Sequence, residues 1–187
     1  MIKNYSLFYS YKTLGDVLLI NIDDTILSNR EAKKNNILAL YHDDLLVGIN
    51  IFDISKIMKI KSQGMIYLPS NSLIDVINSL LENAGLETLA YKTESGYVIG
   101  EIKRVDDKEI EIDIKKDIYL LPSHKEVHQG DKVVLAKIGT YLNNGRIVKN
   151  IPHLCSYEDL GIENKKDILI IEEETEKGLD FFMMEEQ

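Results

Sequence analysis

The sequence holds one cysteine, three prolines and no tryptophan. A lone thiol, Cys155, excludes an internal disulfide framework and any cysteine-clustered zinc site, and its default place is a small buried apolar position. No run of about 18 apolar residues occurs, so no transmembrane helix is expected. Met1 to Tyr5 lacks the basic-then-apolar layout of a secretion signal, and the expected location is the cytoplasm with no membrane partner. The glycines are scattered and match neither G-x-x-x-x-G-K-[ST] nor G-x-G-x-x-G, which excludes the common phosphate cradles.

A convergent catalytic constellation is equally absent. Cys155 and His153 form the one close thiol–imidazole pair, but two residues apart on an extended segment they point to opposite faces. His124 and His128 have the i, i+4 spacing of helical metal ligands, yet Pro122 and Gly130 confine any helix to a turn or two and no third ligand is near. The pairs Asp23–Asp24 and Asp43–Asp44 read as polar turns rather than Mg²⁺ ligands. The expectation is a binding protein with no catalytic residue, no metal and no cofactor.

What the chain does have is segregated charge. The formal net charge is −9, of which −6 lies between Glu172 and the C-terminus. Lys115 to His153 instead carries seven Lys/Arg against three acids, with three of the four histidines. That stretch is a modest but localised basic footprint in an acidic protein.

The apolar pattern suggests two domains, 1–93 and 94–187, with the polar stretch Lys92 to Gly96 at the boundary. The first reads as α+β. Residues 6–9, 16–22, 37–41 and 45–52 have strand composition, and His42-Asp43-Asp44 makes a hairpin of the last two. Ser72 to Asp75 has capping-box spacing, and Leu73, Val76, Ile77, Leu80, Leu81 and Ala84 fall on one helical face that Gly85 ends. The second domain reads as all-β, with strands at 97–105, 109–115, 117–121, 132–138 and 167–171. In Glu109 to Lys115 three isoleucines alternate with charges, the period of a half-buried strand. Asn143-Asn144-Gly145 suggests a type I′ hairpin. Five or six short strands with one helical turn suit a small closed barrel of OB type.

Within that barrel Tyr97-Val98-Ile99-Gly100-Glu101-Ile102, His128-Gln129-Gly130-Asp131-Lys132-Val133-Val134-Leu135-Ala136-Lys137-Ile138-Gly139, Asn144-Gly145-Arg146-Ile147-Val148-Lys149 and Leu154-Cys155-Ser156-Tyr157-Glu158-Asp159-Leu160-Gly161-Ile162 follow one another in an order that resembles the tRNA-binding-domain family of OB folds, which includes the EMAP-II-type domains. In the first half, Gly15 to Leu19, Val47 to Ser55 and the helix ending Glu82-Asn83-Ala84-Gly85-Leu86 resemble the domain preceding this barrel in YtpR-like proteins of low-GC Gram-positive bacteria. The family's loops are shortened here to Asp106-Asp107-Lys108, Pro122 to Glu126 and Ile151 to Leu154.

The resemblance implies a non-enzymatic protein that grips tRNA or other structured RNA by shape and backbone. The phosphate contacts it nominates are Lys103, Arg104, Lys115, Lys116, Lys125, Lys132, Lys137, Arg146 and Lys149, together with Ser156. Tyr119 or Tyr141 is available to stack on a base. The competing class is a protein-interaction or homo-oligomerisation module whose RNA loops have eroded, with a second copy of the chain as candidate partner. Phe181-Phe182-Met183-Met184, ahead of Glu185-Glu186, is the apolar cluster that favours this class, unless it folds back onto its own core.

Overall fold

The structure is a computed structural model that describes residues 1–183. The chain is mostly β and packs as two units, Met1–Thr93 and Glu94–Gln187. No helix among the described residues is long and apolar enough to cross a membrane.

The first unit contains β1 (Ser6–Tyr9), the short helix α1 (Tyr11–Leu14), β2 (Val17–Asn21), β3 (Arg30–Lys34), β4 (Ile37–His42), β5 (Leu45–Phe52), β6 (Gly64–Ile66) and α2 (Asn71–Ala84). The strands form one antiparallel sheet in the order β3-β4-β5-β2-β1-β6. Alternation decides its faces: Leu7, Leu18, Ile20, Ile49 and Ile51 are buried in one core, and their neighbours in sequence point the other way. The β3 strand has no apolar pattern to read, being fully exposed along Arg-Glu-Ala-Lys-Lys, and forms because β4 presents a free edge to it.

Helix α2 covers the core face of this sheet. Its N-cap is Ser70, whose Oγ accepts from the Leu73 amide at 3.3 Å, so the expected cap at Ser72 is displaced by two residues. The buried stripe turns with it and centres on Leu73, Ile74, Ile77 and Leu81, leaving Val76 and Leu80 at its margin. Gly85 ends the helix at φ +76°, where the Gly85 amide donates to the Glu82 carbonyl and the Leu86 amide to that of Leu81. Burying each of the fully buried residues Ile74, Ile77 and Leu81 contributes about 1.5–3 kcal/mol, so docking rather than intrinsic propensity holds α2.

The second unit contains β7 (Tyr97–Val105), β8 (Glu109–Asp113), β9 (Ile118–Pro122), β10 (Lys132–Ala136), β11 (His153–Leu154) and β12 (Ile170–Ile171). The order is β11-β10-β7-β8-β9, with β12 also on β10. Ile102, Ile110, Ile112, Val133 and Leu135 are wholly buried at its centre, while Glu109, Glu111 and Asp113 take the wet side of β8. The sheet curls as a half-barrel. Contrary to the expected closed barrel, no ladder joins β9 to β11 or β12 among the described residues. The strands at the far side, β11 and β12, are only two residues each and offer little ladder to pair with, and Pro122 removes a donor from the β9 edge. Close packing on the inside requires Gly100, where a Cβ would lie 2.5 Å from Cγ2 of Ile112.

The C-terminal segment is not a free acidic tail. Asp180 accepts from the Ser95 amide and hydroxyl, each at 2.7 Å, Phe181 is buried, and Phe182 meets the Tyr97 ring edge-on at 5.1 Å. The apolar cluster thus folds back as far as Phe182. Met184, Glu185 and Glu186 lie outside the described residues.

Two substitutions separate packing from capping in α2. Ile77→Ala should lower the free energy of unfolding by about 2–5 kcal/mol and Ser70→Ala by about 1 kcal/mol, measured by urea titration. An equal, small effect of both would show that the helix is not the cover of this core.

Candidate nucleic-acid interface

The nine nominated cations divide into two sets. Five already have carboxylate partners. Lys103 reaches Glu101 at 2.6 Å, Lys132 reaches it at 3.0 Å, and Lys137 pairs with Glu94 at 2.7 Å. Lys115 pairs with Glu176 at 2.6 Å, and Arg104 is held by Asp106, Glu109 and Glu111 at 2.9, 2.8 and 3.8 Å. The other four, Lys116, Lys125, Arg146 and Lys149, are exposed and have no ion pair among the described residues. The positive charge is therefore interleaved with negative charge rather than gathered on one uninterrupted face. The second unit as a whole carries thirteen Lys/Arg against twenty-one Asp/Glu, a formal −8, while the first unit is near neutral at −1.

Glu101 is the hub of the paired set. It projects from β7 and meets Lys103, Lys132 and Lys177, and Lys177 also bonds Asp113 at 2.5 Å. Hydrogen bonds from Lys103, then Lys132 and Lys177, hold the Glu101 carboxyl down at about 2. The Asp113 contact, with Glu101 adding to it, raises the Lys177 ammonium above its usual value. Lys177 was legible only as the lone cation of an acidic segment. Its partners come from β7 and β8, more than sixty residues away, and no local pattern announces them.

Two of the four unpaired cations, Arg146 and Lys149, sit on a hairpin. Gly139 donates to Val148 at 2.7 Å, Val148 to Thr140 at 2.9 Å and Leu142 to Arg146 at 2.9 Å, which places Arg146 at the tip and Lys149 at the base. The turn closes by the Gly145 amide donating to Leu142, and Gly145 alone takes positive φ, at +84°. A type I′ turn would need Asn144 left-handed as well. The geometry is instead that of a turn followed by a left-handed glycine bulge, the three-residue hairpin solution. The Asn143 amide donates to the Asp159 carbonyl at 3.0 Å, so the hairpin is pinned to the turn of residues 156–161. Gly161 permits that approach, since a Cβ there would lie 2.8 Å from Asn143 Oδ1.

Ser156 lies inside this lock rather than on the surface. Its amide and hydroxyl both donate to Asp159 Oδ2, at 3.0 and 2.7 Å, and His153 Nε2 meets the same oxygen at 3.0 Å. Partial burial pushes the Asp159 carboxyl up, but the bonds from His153 and Ser156 outweigh it and bring the pKa to about 2. Both partners spend themselves on the carboxylate, so the imidazole is not set to take a proton from the Ser156 hydroxyl. Cys155 is wholly buried and burial raises its thiol pKa, which matches a packing role. Among the described residues no cluster of three metal-ligating side chains occurs. Of the two tyrosines nominated for stacking, Tyr141 is buried at 6% exposure and Tyr119 packs against the barrel core.

A family model described as a domain of unknown function, DUF4479, matches residues 29–90, inside the first unit. The "Putative tRNA-binding protein YtpR" of Bacillus subtilis (strain 168) is 25% identical over 194 residues, covering 91% of this chain and 96% of that protein. These matches support a YtpR-like family. At 91% of the chain, the YtpR-like alignment is long enough to reach into both units.

The Asp159 lock gives a pH test. Its folded pKa lies below the ordinary value of 3.8, so its contribution is present above about pH 4 and is lost as pH falls toward 2. Asp159→Asn should cost about 1–3 kcal/mol at neutral pH and flatten the loss of stability between pH 4 and 2, read from urea midpoints across pH. Identical slopes in the two proteins would remove Asp159 from the account.

Proposed function

We propose that this chain is a non-enzymatic, cytoplasmic tRNA-binding protein whose second unit, residues 94–187, is an OB-type domain following an α+β domain of residues 1–93. The observation that carries the reading is the correspondence over 91% of the chain with a protein described as tRNA-binding. Its strand order, with β7 central between β10 and β8, suits an OB sheet, and the loops flanking such a sheet are where oligonucleotides dock.

The four exposed cations without ion pairs, Lys116, Lys125, Arg146 and Lys149, are the best phosphate contacts, because none has to surrender a carboxylate to make one. Lys115, Lys137, Lys103 and Arg104 are part of the proposed set only by exchange. An exposed ion pair is worth about 0–1 kcal/mol, so trading it for a phosphate costs little. Lys132, 13% exposed beside Glu101, belongs to the scaffold in this reading, and so does Ser156. An acidic domain binds RNA here through local charge and shape, with the pinned hairpin presenting Arg146 in one geometry. No metal or cofactor enters this function.

A gel-shift with unfractionated tRNA at two salt concentrations tests it. Binding should weaken steeply with salt, and Arg146→Ala with Lys149→Ala should lower the logarithmic salt slope by about 0.7–0.9 per cation removed. Lys132→Ala should instead act on stability, with the slope nearly unchanged. Absence of retention at low salt would transfer the second unit to the class of protein-contact modules, which its net −8 also suits.

A further inference from the structure

The sheet of the first unit has two faces, and α2 covers one. The residues that alternate away from the core form a second apolar face running across the strands: Phe8, Leu19, Leu38, Leu40, Phe52 and Met65. Each is half-buried, and none belongs to the core cluster beneath α2. The polar residues among them are small and uncharged: Ser6, which is buried, and Asn21 and Asn50, both half-buried. The two charged residues at the ladder positions of this face lie together on β3, Glu31 opposite Leu40 and Lys33 opposite Leu38. The Lys33 ammonium lies 6.0 Å from the Phe52 ring centroid, which places it on this face.

We propose that this face is a self-association surface, occupied by the same face of a second copy of the chain about a two-fold axis perpendicular to the strands. The charge pattern selects this occupant. A two-fold contact must be self-complementary, each residue meeting a partner that is met in return. Glu31 and Lys33 are two residues apart on one strand. When β3 lies antiparallel across its copy, centred on Ala32, Glu31 faces the partner's Lys33 and Lys33 faces the partner's Glu31. Sheets stacked face to face pack about 10 Å apart, within reach of both side chains at the rim of the contact.

The same sequence gives less to the other way two copies could meet. Joining the exposed β3 edges into one continuous sheet, again centred on Ala32, would set Glu31 beside the partner's Lys33 twice over but also Arg30 beside the partner's Lys34 twice over, so the ladder's charge pairs offset one another. Like charges directly opposite are destabilising in a ladder, and lysines on an edge strand are a common guard against such pairing. The face contact uses only the opposite-charge pairs, because Arg30 and Lys34 alternate to the other side of β3, so the charges of this strand favour it over the edge contact.

Sedimentation velocity of the full chain over about a hundredfold range of concentration is the test. The wild type should pass from monomer to dimer. Leu19→Lys, on the face away from α2, should stay monomeric with an unchanged thermal melt, and Leu40→Lys gives a second variant should the first fail to fold. Glu31→Lys should weaken the dimer about 3- to 10-fold, and Glu31→Lys with Lys33→Glu should restore it to within about twofold. A monomer at every concentration overturns the proposal. So does a dimer indifferent to both leucine variants, or a double charge variant no better than the single one.

Discussion

The second unit depends on how the amides of β7 are satisfied. Along Lys132–Ala136, β10 pairs one edge of β7 from Tyr97 to Glu101, whereas β8 covers the other edge only from Glu101 to Val105. The first four residues of β7 would leave backbone groups on that edge unpaired in an otherwise buried strand, at a cost of about 1–3 kcal/mol for each. The C-terminal segment supplies the missing partners: Gly178 donates to Ile99 at 2.7 Å, Ile99 to Leu179 at 2.9 Å and Phe181 to Tyr97 at 3.0 Å. It arrives where β8 has turned away at Ile114. That close approach explains Gly178, at φ +85°, where a Cβ would lie 2.9 Å from the Ile114 carbonyl oxygen.

Once the segment is placed by backbone bonds, its charges have little freedom. Lys177 falls between Glu101 and Asp113, and Glu176 falls on Lys115. A segment that reads as a solvated acidic tail is in this way part of the fold's own hydrogen-bond system, and Glu176 in it neutralises part of the basic footprint. The local count of +4 between Lys115 and His153 was a true statement about sequence and a poor guide to surface potential. Partners contributed by Glu94, Glu101 and Glu176 all lie outside that window.

Most strands were legible because alternation is a local property of a half-buried strand. Ser6–Tyr9, Leu45–Phe52 and Tyr97–Val105 stand where the apolar pattern puts them. What escaped depends on partners instead of pattern. The charged β3 exists because β4 has an edge to fill, the two-residue β11 exists because β10 does, and the N-cap of α2 is decided by which serine sits where the chain enters the helix. The site was less legible than the fold. Ser156 stands within a motif that resemblance connects with RNA, yet its hydroxyl and amide serve Asp159, and nothing in the spacing of Ser156, Asp159 and His153 reveals that all three converge on one oxygen.

The distribution of charge then bears on how an acidic chain can hold a polyanion. With −8 on the second unit, long-range attraction cannot steer RNA to it, and screening over about 8–10 Å in physiological salt leaves only near neighbours to matter. Under those conditions the position of each unpaired cation counts for more than the number of cations. Arg146 and Lys149 are carried on a hairpin whose turn is bonded to the Asp159 main-chain carbonyl and whose strands are bonded to each other, so the proposed RNA contact would not have to order the backbone that presents them. Rigid presentation is the compensation available to a domain without a basic face: the Asp159 main-chain carbonyl pins the hairpin, and its carboxylate, buried in part and kept ionised by three hydrogen bonds, holds the turn that carries that carbonyl.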